Sequence, residues 1–256
     1  IGFSALSVLG NGQVAHLADG KTVTYWLQNA AWIWIPLVAI VTILAWLCLR
    51  SVPVTADFKD QWKIFGNKHT WFMTLFYYGT FATFAGLGAQ LALLGNHTFA
   101  GIEGAPSAVA LAWLGPVIGA LSRVGAGKVS DKIRGGRVTT IMAICNIIGL
   151  LALWWYKPSS VEGCWIWLIV MFWIFFWTGV GNASTTEQMA VLFPPLQGGA
   201  VVGWTSAIGA YGPFTIGVLL AECGAGMMFG VTTVIFIAIL LINLYYYDRK
   251  NAPNLC

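Results

Sequence analysis

The stretch AWLGPVIGALSRVGAGKVSDKIRGGRVTTIMAICNIIGLLALWW (112–155) decides the fold class. It consists of two long runs with almost no charge, one on either side of a short basic segment. An α-helix needs about 20 apolar residues to cross the hydrocarbon core of a bilayer. Backbone groups without partners are costly in that core, and a helix satisfies its own. This stretch therefore predicts two transmembrane helices joined by a charged loop.

The same pattern extends along the whole chain. Of 256 residues, 58% are hydrophobic and 9% are charged, whereas a soluble domain carries about 25% charged residues. Seven uncharged or nearly uncharged runs predict spans at Ala31–Leu49, Trp71–Leu94, Ala105–Gly127, Val138–Tyr156, Trp165–Met189, Gly199–Ala221 and Met227–Tyr247. The sequence thus predicts an all-α membrane protein with about seven transmembrane helices.

Composition also excludes several function classes. The net charge of +4 is too small, and too confined to short loops, for a nucleic-acid partner. The three histidines and five cysteines show neither metal-ligand nor CxxC spacing, so we expect no metal and no cofactor. An intramembrane enzyme would need a nucleophile with its base, paired carboxylates or metal ligands inside the spans. None is present in the sequence, so we expect no enzyme.

Basic residues predict the orientation. Lysines and arginines follow the first, third and last spans, and short cytoplasmic loops keep the excess of positive charge. We therefore expect the N-terminus outside and the C-terminus in the cytoplasm, with residues 1–30 forming an outer loop. The mixed charges of 51–70 predict a cytoplasmic linker and a domain boundary, and 248–256 would be a cytoplasmic tail.

Arg123 is the residue that points to a function, because it is a strong cation enclosed in an apolar run. Arginines inside membranes usually face a cavity or a partner. No acidic residue is placed to neutralise Arg123 at mid-membrane, so an anion from outside the chain is expected to do so. A guanidinium offers a planar fork of donors that matches a planar oxyanion. The alternative is that Arg123 extends along the helix to the cytoplasmic surface.

Two further patterns accompany Arg123. Small residues crowd the later spans, where Asn182, Ser206 and Gly209 offer hydrogen bonds or close backbone approach. Tyr77 and Phe81 are one helical turn apart and share a face, from which two rings can sandwich a planar anion. Ordinary helix packing explains both patterns equally well, and the choice stays open at this point.

Three segments resemble the nitrate/nitrite porter family of the major facilitator superfamily. The stretch GKVSDKIRGGR (127–137) is similar to the superfamily's glycine-aspartate-basic loop. The stretch GVGNASTTEQM (179–189) resembles the family's tenth-helix segment, and GWTSAIGAYGPF (203–214) is similar to its nitrate signature. The resemblance covers essentially the whole chain and identifies its spans as helices six to twelve. It implies that 31–50 is the last helix of the N-terminal half and that 71–247 is the C-terminal six-helix bundle.

The resemblance also implies a site. In this family nitrate lies midway through the membrane between two half-domains, held by one arginine from each and flanked by aromatic rings. By position Arg123 matches the C-terminal arginine, Tyr77 and Phe81 match the ring pair, and Gly209 falls in the signature. Asn182 and Ser206 complete the expected substrate contacts. Separately, Gly127, Asp131 and Arg137 are the expected residues of the motif loop.

The resemblance further implies that about five helices and the partner arginine belong to a missing N-terminal half. The expected function is nitrate/nitrite transport across the inner membrane by alternating access, with nitrate and nitrite as substrates and the lipid bilayer as surroundings. No acid or histidine is convincingly placed at mid-membrane, which favours exchange over proton symport. Glu187 departs from the expected pattern and is either one half of a gate pair or merely interfacial. The alternatives are a major-facilitator transporter for another organic or phosphorylated anion, and a non-transporting sensor subunit.

Overall fold

The computed structural model describes residues 13–16, 22–25, 29–50, 57–254 and 256. Within them the chain divides into two units, 1–55 and 56–256. The first unit contains strands β1 (Gln13–His16) and β2 (Thr22–Tyr25) and helix α1 (Asn29–Cys48). The strands pair antiparallel, with Gln13 opposite Tyr25 and His16 opposite Thr22. This hairpin lies in the segment expected to be a loop, and the expectation missed it because neither strand shows a strong apolar alternation.

The second unit is helical throughout its described residues. It contains α2 (Phe58–Trp62), a 3₁₀ turn (Lys63–Gly66), α3 (Lys68–Thr98), α4 (Ala108–Leu111), α5 (Leu114–Ile133), α6 (Gly135–Trp155), α7 (Val161–Leu192), α8 (Pro195–Gly209), α9 (Gly212–Val218), a π turn (Leu219–Cys223), α10 (Gly224–Asn243) and a second π turn (Leu244–Asp248). The predicted runs all fall on these helices and on α1. The all-α prediction is confirmed, with the hairpin as its one departure among the described residues.

Four helical stretches of the described residues are long and apolar enough to cross a membrane. They are Ala108–Ile133, Gly135–Trp155, Val161–Leu192 and Pro195–Asp248. The last stretch has 54 residues, which is enough for two crossings at about 20 residues each. A natural division point is Gly224, whose φ of +78° falls in a region that glycine adopts at little cost.

Helix α3 has 31 residues but is less apolar, and its threonines explain how it fits inside the bundle. Thr74, Thr80 and Thr83 are buried, and each hydroxyl donates to a backbone carbonyl of the preceding turn. The polar groups are therefore satisfied within the helix. Mean hydropathy alone underestimates how well such a helix is suited to a membrane, because it counts each hydroxyl as if it had no hydrogen-bond partner.

Helix α7 lies at the centre of the bundle. It packs against α5 and α6, while α3 packs against α7, α8 and α9, and α10 packs against α6. Gly179 of α7 meets the backbone of Gly119 in α5, and the Ser122 hydroxyl donates to the Phe176 carbonyl at 2.8 Å. Small residues thus bring α5 and α7 into backbone contact, the arrangement that stabilises helix pairs in lipid.

Candidate anion site

An aromatic column runs through the interior of the bundle. The rings of Tyr77 and Phe81 on α3 are stacked, with centroids 5.7 Å apart and planes at 12°. Phe84 continues the column at 6.5 Å from Phe81, and Phe175 of α7 meets Phe84 edge-on at 6.1 Å. The structure therefore brings together the ring pair expected from the sequence. Phe175 was missed as a member of the column, and its only sequence signal is its position two helical turns before Asn182.

The helical conformation is interrupted between α8 and α9, beside the Tyr77 ring of this column. Helix α8 ends at Gly209, and α9 begins at Gly212, with Pro213 in its first turn because proline needs no N–H partner there. Gly209 is buried against the Tyr77 ring. Ser206 lies one turn earlier on α8 and is half-buried. A broken helix of this kind presents backbone groups to a cavity, as in many transporter sites.

Helices α3 and α5 run antiparallel, so their contacts show which residues of the two helices lie at the same level along the helix axes. A methyl group on Gly88 would lie 3.3 Å from Pro116, and one on Gly119 would lie 2.5 Å from the Phe84 ring. Lower numbers on α3 thus face higher numbers on α5. The residue one turn beyond Gly119 on the same side of α5 is Arg123.

Arg123 accordingly lies at the height of Phe81, one turn before Phe84 on α3. Its side chain is exposed in this chain, and it forms no hydrogen bond or ion pair with any residue that the structure describes. The flanking Leu121 and Val124 are also exposed, at 68% and 77%. The guanidinium therefore has no counter-ion within the described part of the chain.

Asn182 lies at the same height on α7. Since Gly119 faces Gly179, and α5 and α7 run in the same direction, Asn182 is nearly level with Arg123. The Asn182 side chain is only 3% exposed, and neither atom of its amide group has a hydrogen-bond partner among the described residues. Buried amides are almost always partnered, and leaving one unpaired costs about 1–3 kcal/mol. An external polar ligand would supply the missing partners.

The motif loop is mostly helical, which corrects the expected charged turn. Helix α5 continues to Ile133 and α6 begins at Gly135, so only Arg134 separates them, with φ +75°. Gly127 and Asp131 lie on α5, where a methyl group on Gly127 would meet no described atom within 4 Å. Arg137 Nε lies 3.9 Å from Asp248 Oδ1 and so connects the start of α6 to the end of α10.

Glu187 lies close to this junction. Its carboxylate lies against Gly135 in the first turn of α6, and its Oε2 atom is buried without a hydrogen-bond partner among the described residues. An acid beside a helix N-terminus is stabilised by the unpaired N–H groups there. Glu187 forms no ion pair within the described residues, so the structure shows no gate pair for it.

The described residues contain no group of three or more histidine, cysteine, aspartate or glutamate side chains able to hold a metal ion. The five cysteines are free thiols.

Comparison with known families agrees with this architecture. Residues 14–217 match the family model described as the Major Facilitator Superfamily, and the chain belongs to that superfamily. It is a multi-pass membrane protein.

Similarity to individual proteins is more informative than the family match. The chain is 42% identical over 263 residues to the probable nitrate/nitrite antiporter NarK2 of Thermus thermophilus, across all of this chain and 59% of the relative. It is 33% identical over 277 residues to the nitrate/nitrite transporter NarU of Escherichia coli (strain K12), across 97% of this chain and 58% of the relative. The chain thus spans somewhat more than half the length of the relatives it matches.

Proposed function

We propose that this chain is the C-terminal part of a nitrate/nitrite transporter and supplies one half of its anion site. The relatives' names support the substrate class. One observation of the structure carries the proposal: Arg123, at the height of Phe81, has no counter-ion among the described residues. A small planar anion matches a free guanidinium and the rings beside it.

Each candidate residue has a role in this proposal. Arg123 holds the anion through charge-assisted hydrogen bonds. Tyr77 and Phe81 limit the cavity to flat solutes, and the Asn182 amide supplies a donor to an anion oxygen. Gly209 and Ser206 place the broken region of α8 next to the rings.

The remaining half of the site is proposed to come from an N-terminal half outside this chain, with a second arginine. In this arrangement 31–50 is the last helix of that half, 51–70 links the halves, and 71–247 is a six-helix bundle. Rocking of the two halves about the anion gives alternating access. The positive-inside pattern supports an inner-membrane location with the segment 248–256 in the cytoplasm.

Exchange of nitrate for nitrite is the proposed mode of transport. Proton-coupled transporters use acids or histidines within the membrane. Among the described residues, the acids of the long spans lie near helix ends: Glu162 in the first turn of α7, Glu187 in its last turns, Asp131 at the end of α5, Glu222 in the π turn after α9, and Asp248 at the end of the second π turn. None is level with Arg123 and Asn182.

The test is the substitution Arg123→Lys in the complete transporter, with Arg137→Lys as a matched control at the motif loop. Lysine keeps the charge but loses the planar fork. We expect the affinity for nitrate in proteoliposomes to fall roughly tenfold or more, since a hydrogen bond to a charged group contributes about 1.5–3 kcal/mol. Unchanged nitrate affinity in Arg123→Lys would disprove the assigned role. Competition by carboxylates or organic phosphates, but not by nitrite, would instead indicate a transporter for another anion.

A further inference from the structure

A second feature of the bundle lies away from the aromatic column and is independent of the proposed substrate. A groove of about 660 Å³ runs between α5, α6 and α7. Its walls are almost entirely apolar and include Ile118, Leu121, Val129, Ile141 and Trp177. Arg123 and the ring pair do not line it. The groove therefore belongs to a different face of α5.

Small residues give the groove its depth. Gly125 lies at its floor, where a methyl group would meet no described atom within 4 Å. Ala126 lines the floor beside it. Leu121 and Val129, one turn on either side of Gly125, are 68% and 48% exposed. The groove is therefore open along the helix and has aliphatic edges.

One end of this groove is strongly basic. Lys128 and Lys132 follow Leu121 and Gly125 by seven residues each, or two helical turns, and so lie on the groove side of α5. Arg134 follows directly at the junction with α6. These three side chains are exposed, and none forms an ion pair with a residue that the structure describes. We call this cluster of Lys128, Lys132 and Arg134 the basic end of the groove.

An apolar groove that ends in unpaired cations matches an amphiphile with an acidic head. Acyl chains fill a groove with aliphatic walls through van der Waals packing, since lipid tails are as apolar as the walls. Basic pockets between transmembrane helices bind acidic lipid head groups on the side where lysine and arginine accumulate. A soluble anion would use the basic end alone and would leave the groove empty.

We propose that this groove binds an anionic phospholipid of the adjacent leaflet, with one acyl chain along Leu121, Gly125 and Val129 and the phosphate at the basic end. The charge complementarity of the basic end argues for a lipid with a net negative charge over a neutral one. Bound there, the lipid would connect α5 to the start of α6 at the one-residue junction formed by Arg134.

The experiment uses the complete transporter, purified and examined by native mass spectrometry with added dioleoyl phosphatidylglycerol or dioleoyl phosphatidylcholine. The first variant is Gly125→Leu, which fills the floor of the groove without meeting a described atom. Its matched control is Gly127→Leu on the same helix, at a position that is equally open but does not line the groove. The second variant is the pair Lys128→Gln and Lys132→Gln, both at exposed positions that tolerate substitution.

We expect the wild-type protein to retain phosphatidylglycerol in preference to phosphatidylcholine. The Gly125→Leu variant should lose at least fivefold of the bound phosphatidylglycerol, and Gly127→Leu should not. The lysine pair should lose the preference for phosphatidylglycerol with little change in phosphatidylcholine. Equal retention of both lipids by the wild-type protein would overturn the proposal. So would unchanged phosphatidylglycerol in Gly125→Leu, which is also the result expected if helices outside this chain cover the groove. If Gly125→Leu does not fold, the lysine pair decides alone.

Discussion

The Tyr77 ring packs directly on the backbone of Gly209, where α3 meets the end of α8. A methyl group placed on Gly209 would lie 2.8 Å from Tyr77 Cδ1 and 3.0 Å from its Cε1. The absence of a side chain at Gly209 therefore sets the position of the ring, and the ring in turn stacks on Phe81.

We predict that Gly209→Ala in the complete transporter displaces Tyr77 and reduces nitrate uptake. A misplacement of about 1 Å in a site can cost as much as 10²-fold in rate, so we expect a loss of about tenfold or more. The control is Gly203→Ala on the same helix, where a methyl group meets no described atom within 4 Å. Uptake rates in proteoliposomes measure the difference, and equal rates in both variants would show that the Tyr77 position is unimportant.

Asn182 gives a prediction that separates stability from binding. Because neither atom of its amide group has a partner within the described chain, Asn182→Leu breaks no hydrogen bond. We expect an unchanged or higher melting temperature together with weaker nitrate binding.

The matched comparison for Asn182 is Asn243→Leu. The Asn243 amide donates to the Gly136 carbonyl at 2.7 Å and to the Thr140 hydroxyl at 2.8 Å. Removing it loses both hydrogen bonds, at about 0.5–1.5 kcal/mol each, so the melting temperature of Asn243→Leu should fall. Thermal unfolding in detergent distinguishes the two, and a fall for Asn182→Leu as large as that for Asn243→Leu would contradict the assignment.

Gly179 tests the contact between α5 and α7. A methyl group there meets the carbonyl oxygen of Gly119 and the Ser122 hydroxyl, and neither is the free end of a flexible side chain. We expect Gly179→Ala to destabilise the protein by about 1–3 kcal/mol. Gly199→Ala, at an open position on α8, serves as control in the same melting experiment. Equal melting temperatures would mean that α5 and α7 separate easily.

Cys256 gives a prediction about pH. Burial, with the negative charge of Glu187 nearby, raises the pKa of the Cys256 thiol from 9.0 to about 12. Below that pH the thiol stays protonated, and only the thiolate reacts with alkylating reagents. At pH 8 a thiol with this pKa has roughly a thousandfold less thiolate than an ordinary one. We expect Cys256 to react slowly with iodoacetamide at pH 8 in detergent, and its labelling rate to rise about tenfold with each pH unit below the pKa.

The comparison for this labelling is Cys223, which is exposed. Single-cysteine variants of the complete protein, analysed by mass spectrometry, give the two rates at each pH. Labelling of Cys256 at pH 8 as fast as Cys223 would show that the chain near Cys256 is not packed as described.

The sequence was sufficient to predict where the helices lie along the chain. It was not sufficient to predict which residues they bring into contact. Charged residues between long apolar runs mark helix ends whatever the neighbours are, so the predicted spans fall on helices. Pro116 and Pro213 lie in the first turns of α5 and α9, where proline needs no N–H partner. Two features depended on tertiary structure: the continuation of α5 to Ile133, and the burial of the α3 threonines, although their hydroxyls bond within their own helix.

The candidate site shows the same division. A cation without a partner was visible in the composition around Arg123, but its height relative to Phe81 required the contacts of Gly88 and Gly119. That both amide atoms of Asn182 lack partners was not visible at all, because hydrogen bonding depends on which side chains surround a residue. Phe175 was missed because an aromatic residue among many in α7 has no distinguishing local pattern.

The backbone contact between Gly119 and Gly179 has a consequence for the transport cycle. Two helices whose main chains touch cannot slide past each other without first moving apart, and so α5 and α7 travel as one body. Arg123 and Asn182 would then keep a constant separation from the outward-open to the inward-open state. In the proposed transporter, any change in the affinity for the anion between those states would therefore arise across the boundary with the proposed other half.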